Sequence, residues 1–427
     1  MNIQELYRIY LQCASVQTDT RKLAKDDLFF ALKGPSFNGN EFAAKALELG
    51  AICCVVDEDC GFEDERLFKV DDVLEALQSL AKFHREKFSI PFIAITGSNG
   101  KTTTKELVHA VLSAKYITYT TEGNLNNHIG IPLTILKIKP DAEMAVIEMG
   151  ANHQREIAGY CEYTLPTHGI ITNCGKAHLE GFGGEEGVRK GKGELYDFIR
   201  AHDGMVFVNA DDFHLMNMSN GIANISTYGS NEGANCRGWS AADNVEMLQV
   251  VIHGVEYETD IATRLVGNYN LPNVLVAAAI GKHFGIAVAT IKHAIEGYEP
   301  SNSRSQMLEK DGNQIVLDAY NANPSSMKLA IENFARMPGV KKILMIGGMM
   351  ELGEESEREH KQIIELIREY SWHHVVLVGH QFDGLAADML HFENAESAGK
   401  WYRNQAFSGF RILLKGSRSM KMEKVLE

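Results

Sequence analysis

Apolar residues in this chain fall into short runs that stop abruptly at glycine, asparagine or a carboxylate. Near the start, "DLFFAL" and "AICCVV" are two such runs. A glycine turn in "GPSFNGN" and the helical pattern "EFAAKALELG" lie between them, which predicts a small α/β unit. A second series begins at "SIPFIAITG" and continues through "AVIEMG", "HGIITN" and "GMVFVN", with helical stretches in between. Continuous apolar runs of this kind read as strands buried on both faces, as in a parallel sheet covered by helices. The polar residues that end them belong at the carboxyl ends of the strands, where open α/β sheets bind ligands.

A third series follows: "QIVLDAY", "KKILMIGG", "HVVLVG" and "FRILLKGS", with helices such as "ESEREHKQIIELIREY" between them. Proline and small polar residues cluster just before it in "GYEPSNSRSQ", the composition of a boundary. The expectation is an α/β protein of three domains. They are a small N-terminal α/β domain over 1–87, a central P-loop-type parallel-sheet ATPase domain over 88–299, and a Rossmann-like domain over 300–427. At 427 residues the chain is too long for one ordinary domain, which agrees.

Composition narrows the partners. A net charge of -14 gives no electrostatic support to a nucleic-acid-binding role. No apolar run is long enough to predict a membrane span, and the start "MNIQELYRIYLQ" lacks a secretory layout. The 7 cysteines form no C-x-x-C pair and read as reduced thiols, so a cytoplasmic protein is expected, as a monomer.

"ITGSNGKTTT", residues 95–104, carries the first candidate chemistry. The widespread nucleotide loop G-x-x-x-x-G-K-[ST] sets its first glycine about five residues ahead of the second. At that distance before Gly100 stands Ile95, and the nearest earlier glycine is Gly97. "PFIAI" predicts a buried strand and "KTTTKELVHAVLSAKY" a helix, with Val108, Val111 and Leu112 on one stripe. The loop therefore lies where strand becomes helix. Thr96, Gly97, Ser98, Asn99 and Gly100 can close backbone N–H groups on an anion, helped by the positive helix end. Lys101 would reach the β- and γ-phosphates, the Thr102 hydroxyl a magnesium ion, and Thr103 completes the ATP-binding set. A glycine turn before a surface lysine is the plainer alternative, and the order strand, glycines, GKT, helix favours the nucleotide.

"TGSNGKTTTKE" resembles the shortened loop of the Mur ligase family, ATP-dependent amide-forming enzymes of peptidoglycan assembly. Six further stretches match in order: "EGNLNNHIGIPLTIL", "AVIEMGANHQREI", "TNCGKAHLEGFG" running into "KGKGEL", "GNYNLPN", "DAYNANPSSM" and "LLKGSRSMKME". With "DTRKLAKDDLFFALKG" they cover nearly the whole chain. The resemblance implies a ligase that adds D-Ala-D-Ala to UDP-N-acetylmuramoyl-tripeptide through an acyl phosphate, with ATP and two magnesium ions. It makes the N-terminal domain the one that binds the UDP substrate.

The resemblance also implies roles for individual residues. Glu148, at the end of "AVIE", would bind magnesium, and His178 would ligate or orient near a second ion. Lys192 would carry a carbamate. A bare ammonium about 4 Å from a divalent cation is repelled by roughly 8 kcal/mol at an effective dielectric of 20, and carbamylation reverses that sign. Lys190 is the rival, and spacing to "GEL" favours Lys192. Lys101, Glu148, His178 and Lys192 form the implied catalytic set. Asn273, one of a pair with Asn270, would contact the adenine. Arg304 would reach the nucleotide phosphates, and Asp318 and Asn323 would help hold the nucleotide.

Thr20 and Arg21 match a stretch that helps hold the uridine nucleotide. Asn124, Asn126 and Asn127 would line the path of the substrate, and Tyr320 and Asn321 would help place the dipeptide. Lys415, Ser417 and Arg418 read equally as a carboxylate site or a solvated turn. Three departures stand out: Thr18 and Thr20 replace serines, Gly184 replaces a serine, and Gly348 stands where the family commonly has aspartate.

Two alternatives are another ligase of the superfamily, of the third-residue-adding or folylpolyglutamate type, and a P-loop ATPase switch. "YNANPSSM" argues against the first. The carbamate expectation has its own test: Lys192→Ala should abolish amide formation and regain part of it with a short carboxylic acid. Full activity in that variant would move the role to Lys190 or remove it.

Overall fold

The structure, a computed structural model, describes residues 2–242, 246–254, 258–301, 303–339 and 341–427. The chain packs as two compact units. The first comprises Met1–Ala94, Tyr116–Ala151 and Arg155–Gly169; the second comprises Ile95–Lys115, Asn152–Gln154 and Ile170–Glu427.

In the first unit, Val16–Gln17, Leu28–Phe30, Cys53–Val56 and Leu67–Lys69 form a parallel four-stranded sheet in that order. Phe29, Ala43, Leu47, Cys54 and Val56 make its core, as the runs "DLFFAL" and "AICCVV" predict. Helix Val73–Arg85 starts at Asp72, whose side chain accepts from the Glu75 N–H, and buries Val73, Ala76, Leu77, Leu80 and Ala81. Met144–Glu148 runs beside Phe92–Thr96, with Thr118–Thr120 parallel on its far side. Thr118–Thr120 is too short and too polar for the sequence pattern to reveal.

Arg85 ties this unit together. Its guanidinium donates to the carbonyls of Thr164 (2.8 Å), Phe88 (2.8 Å) and Leu165 (2.9 Å). It also lies 3.7 Å from the centroid of the Phe92 ring, the first residue of its strand. Burial pulls the Arg85 pKa down to about 10, so the charge is retained and is satisfied by carbonyl dipoles.

In the second unit strands lie in the order Glu258–Val266, Met247–His253, Cys236–Ser240, Asn224–Gly229, Met205–Asn209. Met205–Asn209 through Cys236–Ser240 pair in parallel, and the last two strands of the chain segment turn antiparallel. That antiparallel extension is absent from the sequence expectation. Glu258–Val266 alternates exposed and buried positions instead of running continuously apolar. Helix Lys101–Ser113 ends three residues before the expected Tyr116. It packs against Leu271–His283, a helix buried from Asn273 to Gly281.

A second sheet orders Gln306–Lys310, Asn313–Asp318, Arg411–Lys415, Lys342–Gly347, His374–Val378 and Leu390–Phe392. All pair in parallel except the first, an antiparallel edge. Ile315, Leu317, Ile343, Met345, Val376, Ile412 and Leu414 fill its core, so the Rossmann-like expectation matches this sheet. Among the described residues no helix is long and apolar enough to cross a membrane.

Arg85→Met should destabilise the protein by about 2–4 kcal/mol, because one buried and two partly buried carbonyls lose a charged donor. Urea unfolding measures this; a change below about 0.5 kcal/mol would mean that those carbonyls find other partners.

Candidate active site

The turn from strand to helix is held from both sides. Gly97 (φ +142°) leaves no room for a Cβ, which would sit 2.0 Å from Thr172 Oγ1. That hydroxyl instead donates to the Asn99 carbonyl at 2.6 Å. Gly100 adopts φ +79° at the start of the helix, a left-handed conformation that only glycine enters at little cost.

Asn173 clamps the same loop: its Oδ1 accepts from the Asn99 N–H and its Nδ2 donates to the Asn99 carbonyl, each at 3.0 Å. The Ser98 hydroxyl donates to the Gly175 carbonyl at 2.8 Å. Lys101 curls back so that Nζ donates to the Gly97 carbonyl at 2.7 Å. Thr96 and Thr102 are buried and Thr103 is half-buried along the loop and the first turn.

Asn273 braces the helix that follows. Its Oδ1 accepts from the Thr104 hydroxyl at 3.0 Å and its Nδ2 donates to Asn270 Oδ1 at 2.9 Å. Both ends of the amide are thus engaged with protein groups. The second sheet reaches the loop through Asn323, whose Nδ2 donates to Asn99 Oδ1 at 2.7 Å. Asn323 also caps helix Pro324–Arg336 in a reciprocal box with Ser326. Ser325 Oγ accepts from the Lys176 N–H at 2.9 Å, and Lys176 Nζ lies 2.7 Å from the buried Glu359.

Charged groups cluster in the same unit. His178, at φ +52°, places Nδ1 2.5 Å from Glu351 Oε2. The close approach of His178 holds the Glu351 carboxyl below its usual range, although Nδ1 itself makes no well-formed hydrogen bond. Lys192 is 1% exposed in helix Glu185–Ala201, with Nζ 4.9 Å from the centroid of the Phe182 ring. Lys190 is 65% exposed and pairs with Glu186 at 2.9 Å, so the two rival lysines differ sharply in burial. Cys174, nearby, has its thiol pushed up to about 12 by burial, although the Lys192 charge pulls the other way.

Asp318 accepts from the Ser305 N–H at 3.0 Å and pairs with the buried Lys415 at 2.5 Å. Lys415 is therefore the partner of a carboxylate within its own sheet, not part of a solvated turn. Ser417 is buried, donating to the Ala322 carbonyl at 3.2 Å. The Arg304 guanidinium stacks 3.5 Å from the centroid of the Tyr320 ring, with Arg418 6.0 Å away. Asn321 is exposed.

The first unit holds the remaining candidates. Glu148 is 1% exposed, and its Oε1 accepts from Asn126 Nδ2 at 2.7 Å. Its Oε2 is buried with no hydrogen-bond partner, the condition of a carboxylate oxygen kept for a cation. Asn127 caps the turn into Gly130–Ile135, accepting from the Gly130 N–H at 2.9 Å, and Asn124 is exposed. Arg21 is 88% exposed and forks onto Asp19, whose carboxyl is lowered to about 2 by that contact. Thr20 beside it is half-buried.

Among the described residues no three His, Cys, Asp or Glu side chains form a ready metal cage. Magnesium on a nucleotide needs none, since phosphates and water supply most of its oxygens. Sequence reasoning missed Thr172, Asn173, Ser325 and Glu351. "TN" after a predicted strand was the available signal for the first two.

Three family models match the chain in succession: Mur ligase family, catalytic domain, over residues 12–85; Mur ligase middle domain over 95–281; and Mur ligase, glutamate ligase domain, over 303–418. The chain is similar to the UDP-N-acetylmuramoyl-tripeptide--D-alanyl-D-alanine ligase of Bacillus subtilis, 34% identical over 96% of this chain and 92% of that one. A crystal structure of MurF from Acinetobacter baumannii superposes with a TM-score of 0.89 at 28% identity, covering 99% of this chain and 97% of that one. MurF ligase from Thermotoga maritima in complex with ADP gives 0.87 at 27% identity, covering 98% and 97%.

Asn173→Ala should weaken ATP binding about tenfold, the equivalent of 1.4 kcal/mol, by freeing the Asn99 backbone. Titration calorimetry with ATP and magnesium reads this directly. Unchanged affinity would show that the loop is held without the clamp.

Proposed function

Because this chain belongs to the Mur ligase family, we propose that it joins D-alanyl-D-alanine to UDP-N-acetylmuramoyl-tripeptide at the expense of ATP. The observation that carries this reading is the end-to-end likeness to ligases of that name, which takes in the ATP loop and the second sheet alike. The Asn99–Asn323 hydrogen bond supports it, since it joins the nucleotide loop to the carboxyl edge of the second sheet.

The tripeptide carboxylate attacks the γ-phosphorus of ATP, forming an acyl phosphate and releasing ADP. The dipeptide amine then attacks the acyl carbon, the C–N bond forms, and inorganic phosphate leaves. ATP is required because a carboxylate is a poor electrophile. In this reading, N–H groups of the 97–100 turn and the helix start hold the phosphates. Lys101 exchanges its bond to the Gly97 carbonyl for phosphate oxygens. Arg304, set on Tyr320, adds a second cation for the transferring phosphoryl group.

Thr102, Glu148, His178 and a carbamylated Lys192 are the residues that would hold magnesium, which when bound would supply Lewis acidity and offset phosphate charge. The unpartnered Glu148 Oε2 and the burial of Lys192 fit that assignment. Thr20 and Arg21 serve the uridine end, and Asn124, Asn126, Asn127, Tyr320 and Asn321 the peptide path. We place the reaction in the cytoplasm, consistent with seven cysteines that are all free thiols.

The test measures phosphate release with UDP-tripeptide and D-Ala-D-Ala, each alone and together. Release should demand both, with either one alone giving under about a hundredth of the full rate. Substantial release that depends on neither would turn the reading toward a P-loop switch.

A further inference from the structure

Asn126 and Glu148 meet inside a backbone frame. Glu148 ends strand Met144–Glu148, and Asn126 lies in the loop between strand Thr118–Thr120 and helix Gly130–Ile135. Two hydrogen bonds fasten that loop to the strand end. The Glu148 N–H donates to Thr121 Oγ1 at 2.9 Å, and the Gly150 N–H donates to the Asn126 carbonyl at 2.8 Å. Within the frame, Asn126 Nδ2 donates to Glu148 Oε1 at 2.7 Å. An ionised carboxylate has only lone pairs to offer, so the amide must present its nitrogen. Glu148 Oε2 is left buried with no hydrogen-bond partner.

Gly150 gives the amide its place. A Cβ at 150 would lie 2.9 Å from Asn126 Oδ1 and 3.0 Å from its Cγ and Nδ2, the three nearest atoms. The Gly150 backbone lies outside the left-handed region, so the turn itself makes no demand for glycine there. We propose that Asn126 is a positioning residue for Glu148, seated by Gly150: by holding Oε1 it fixes the carboxylate plane and leaves Oε2 as the oxygen offered to a divalent cation. This rests on the reading of Glu148 as a magnesium-site residue. The last torsion of a glutamate is broad and roughly two-fold, so without a donor nothing fixes which oxygen faces the cation. Hydrogen bonds to a ligating carboxylate are a general means of holding that orientation.

Both parts of this arrangement can be removed without dismantling the frame. Its two bonds use the Thr121 hydroxyl and main-chain atoms only, so Asn126→Ala and Gly150→Ala each keep them. Alanine at 150 acts by pushing the amide off Glu148. In a chain that already lacks the amide it has nothing to push.

Titration calorimetry of the protein with ADP, once with magnesium and once with the metal chelated, gives two affinities whose ratio isolates what the metal contributes. Asn126→Ala and Gly150→Ala should each lower that ratio roughly tenfold, while the metal-free affinity and the melting temperature hold. The double variant should fall no further than Asn126→Ala alone, the non-additivity of residues that act through one contact. Glu148→Gln should lower the ratio at least as far. A wild-type ratio in Asn126→Ala beside a lowered one in Glu148→Gln overturns the proposal and leaves the magnesium reading standing. A role of Asn126 on the peptide path alone would give that same result, since no peptide is present. A wild-type ratio in Glu148→Gln removes the magnesium reading and the proposal with it. Additive losses in the double variant overturn the seating by Gly150.

Discussion

The shape of the Ser98–Asn99 backbone is the constraint on which the rest depends. A buried strand must become a helix within four residues, leaving N–H groups turned toward an anion. Glycine at 97 and 100 permits the path, but permission is not enforcement. Enforcement comes from Thr172 and Asn173, which bond the Asn99 carbonyl and N–H from the neighbouring strand's end. Asn323 then reads the outward side chain of Asn99, so the loop that meets ATP also meets the second sheet.

The molecule also keeps charge in places where burial is unfavourable. Lys192, Glu148 and Lys415 are each no more than 2% exposed. A buried charge usually costs stability unless it is paired. Lys415 has Asp318, and the pair is structurally complete. Glu148 is satisfied at one oxygen and unsatisfied at the other. The contrast separates a carboxylate engaged at both ends of an ion pair from one with an oxygen left unsatisfied, and that oxygen is what the proposed magnesium role of Glu148 draws on.

Much of this was legible in the chain. The strands bearing site residues are continuous apolar runs ending in a polar residue, the easiest pattern to read, and Glu148, His178 and Asp318 sit where those runs stop or soon after. Lys192 over Lys190 followed from spacing, and their burial now differs in the same sense. What stayed hidden has a common cause. Asn173 and Glu351 act through partners remote in sequence, and neither asparagine nor glutamate at a strand end announces what it will touch. The antiparallel edge was missed because alternating strands signal weakly. Asn273 and Lys415 show a further limit: the sequence does not reveal that each is engaged with protein groups, the first with Thr104 and Asn270 and the second with Asp318.

The stack of Arg304 on Tyr320 carries one more consequence. A guanidinium carbon 3.5 Å from a ring centroid is held by the ring face, which takes up none of its N–H donors as conventional hydrogen bonds. The side chain is thus immobilised without spending its hydrogen-bonding capacity. Most arginines that grip an anion surrender rotamer freedom at the moment of capture. If Arg304 takes the phosphoryl role proposed for it, that loss is already taken during folding.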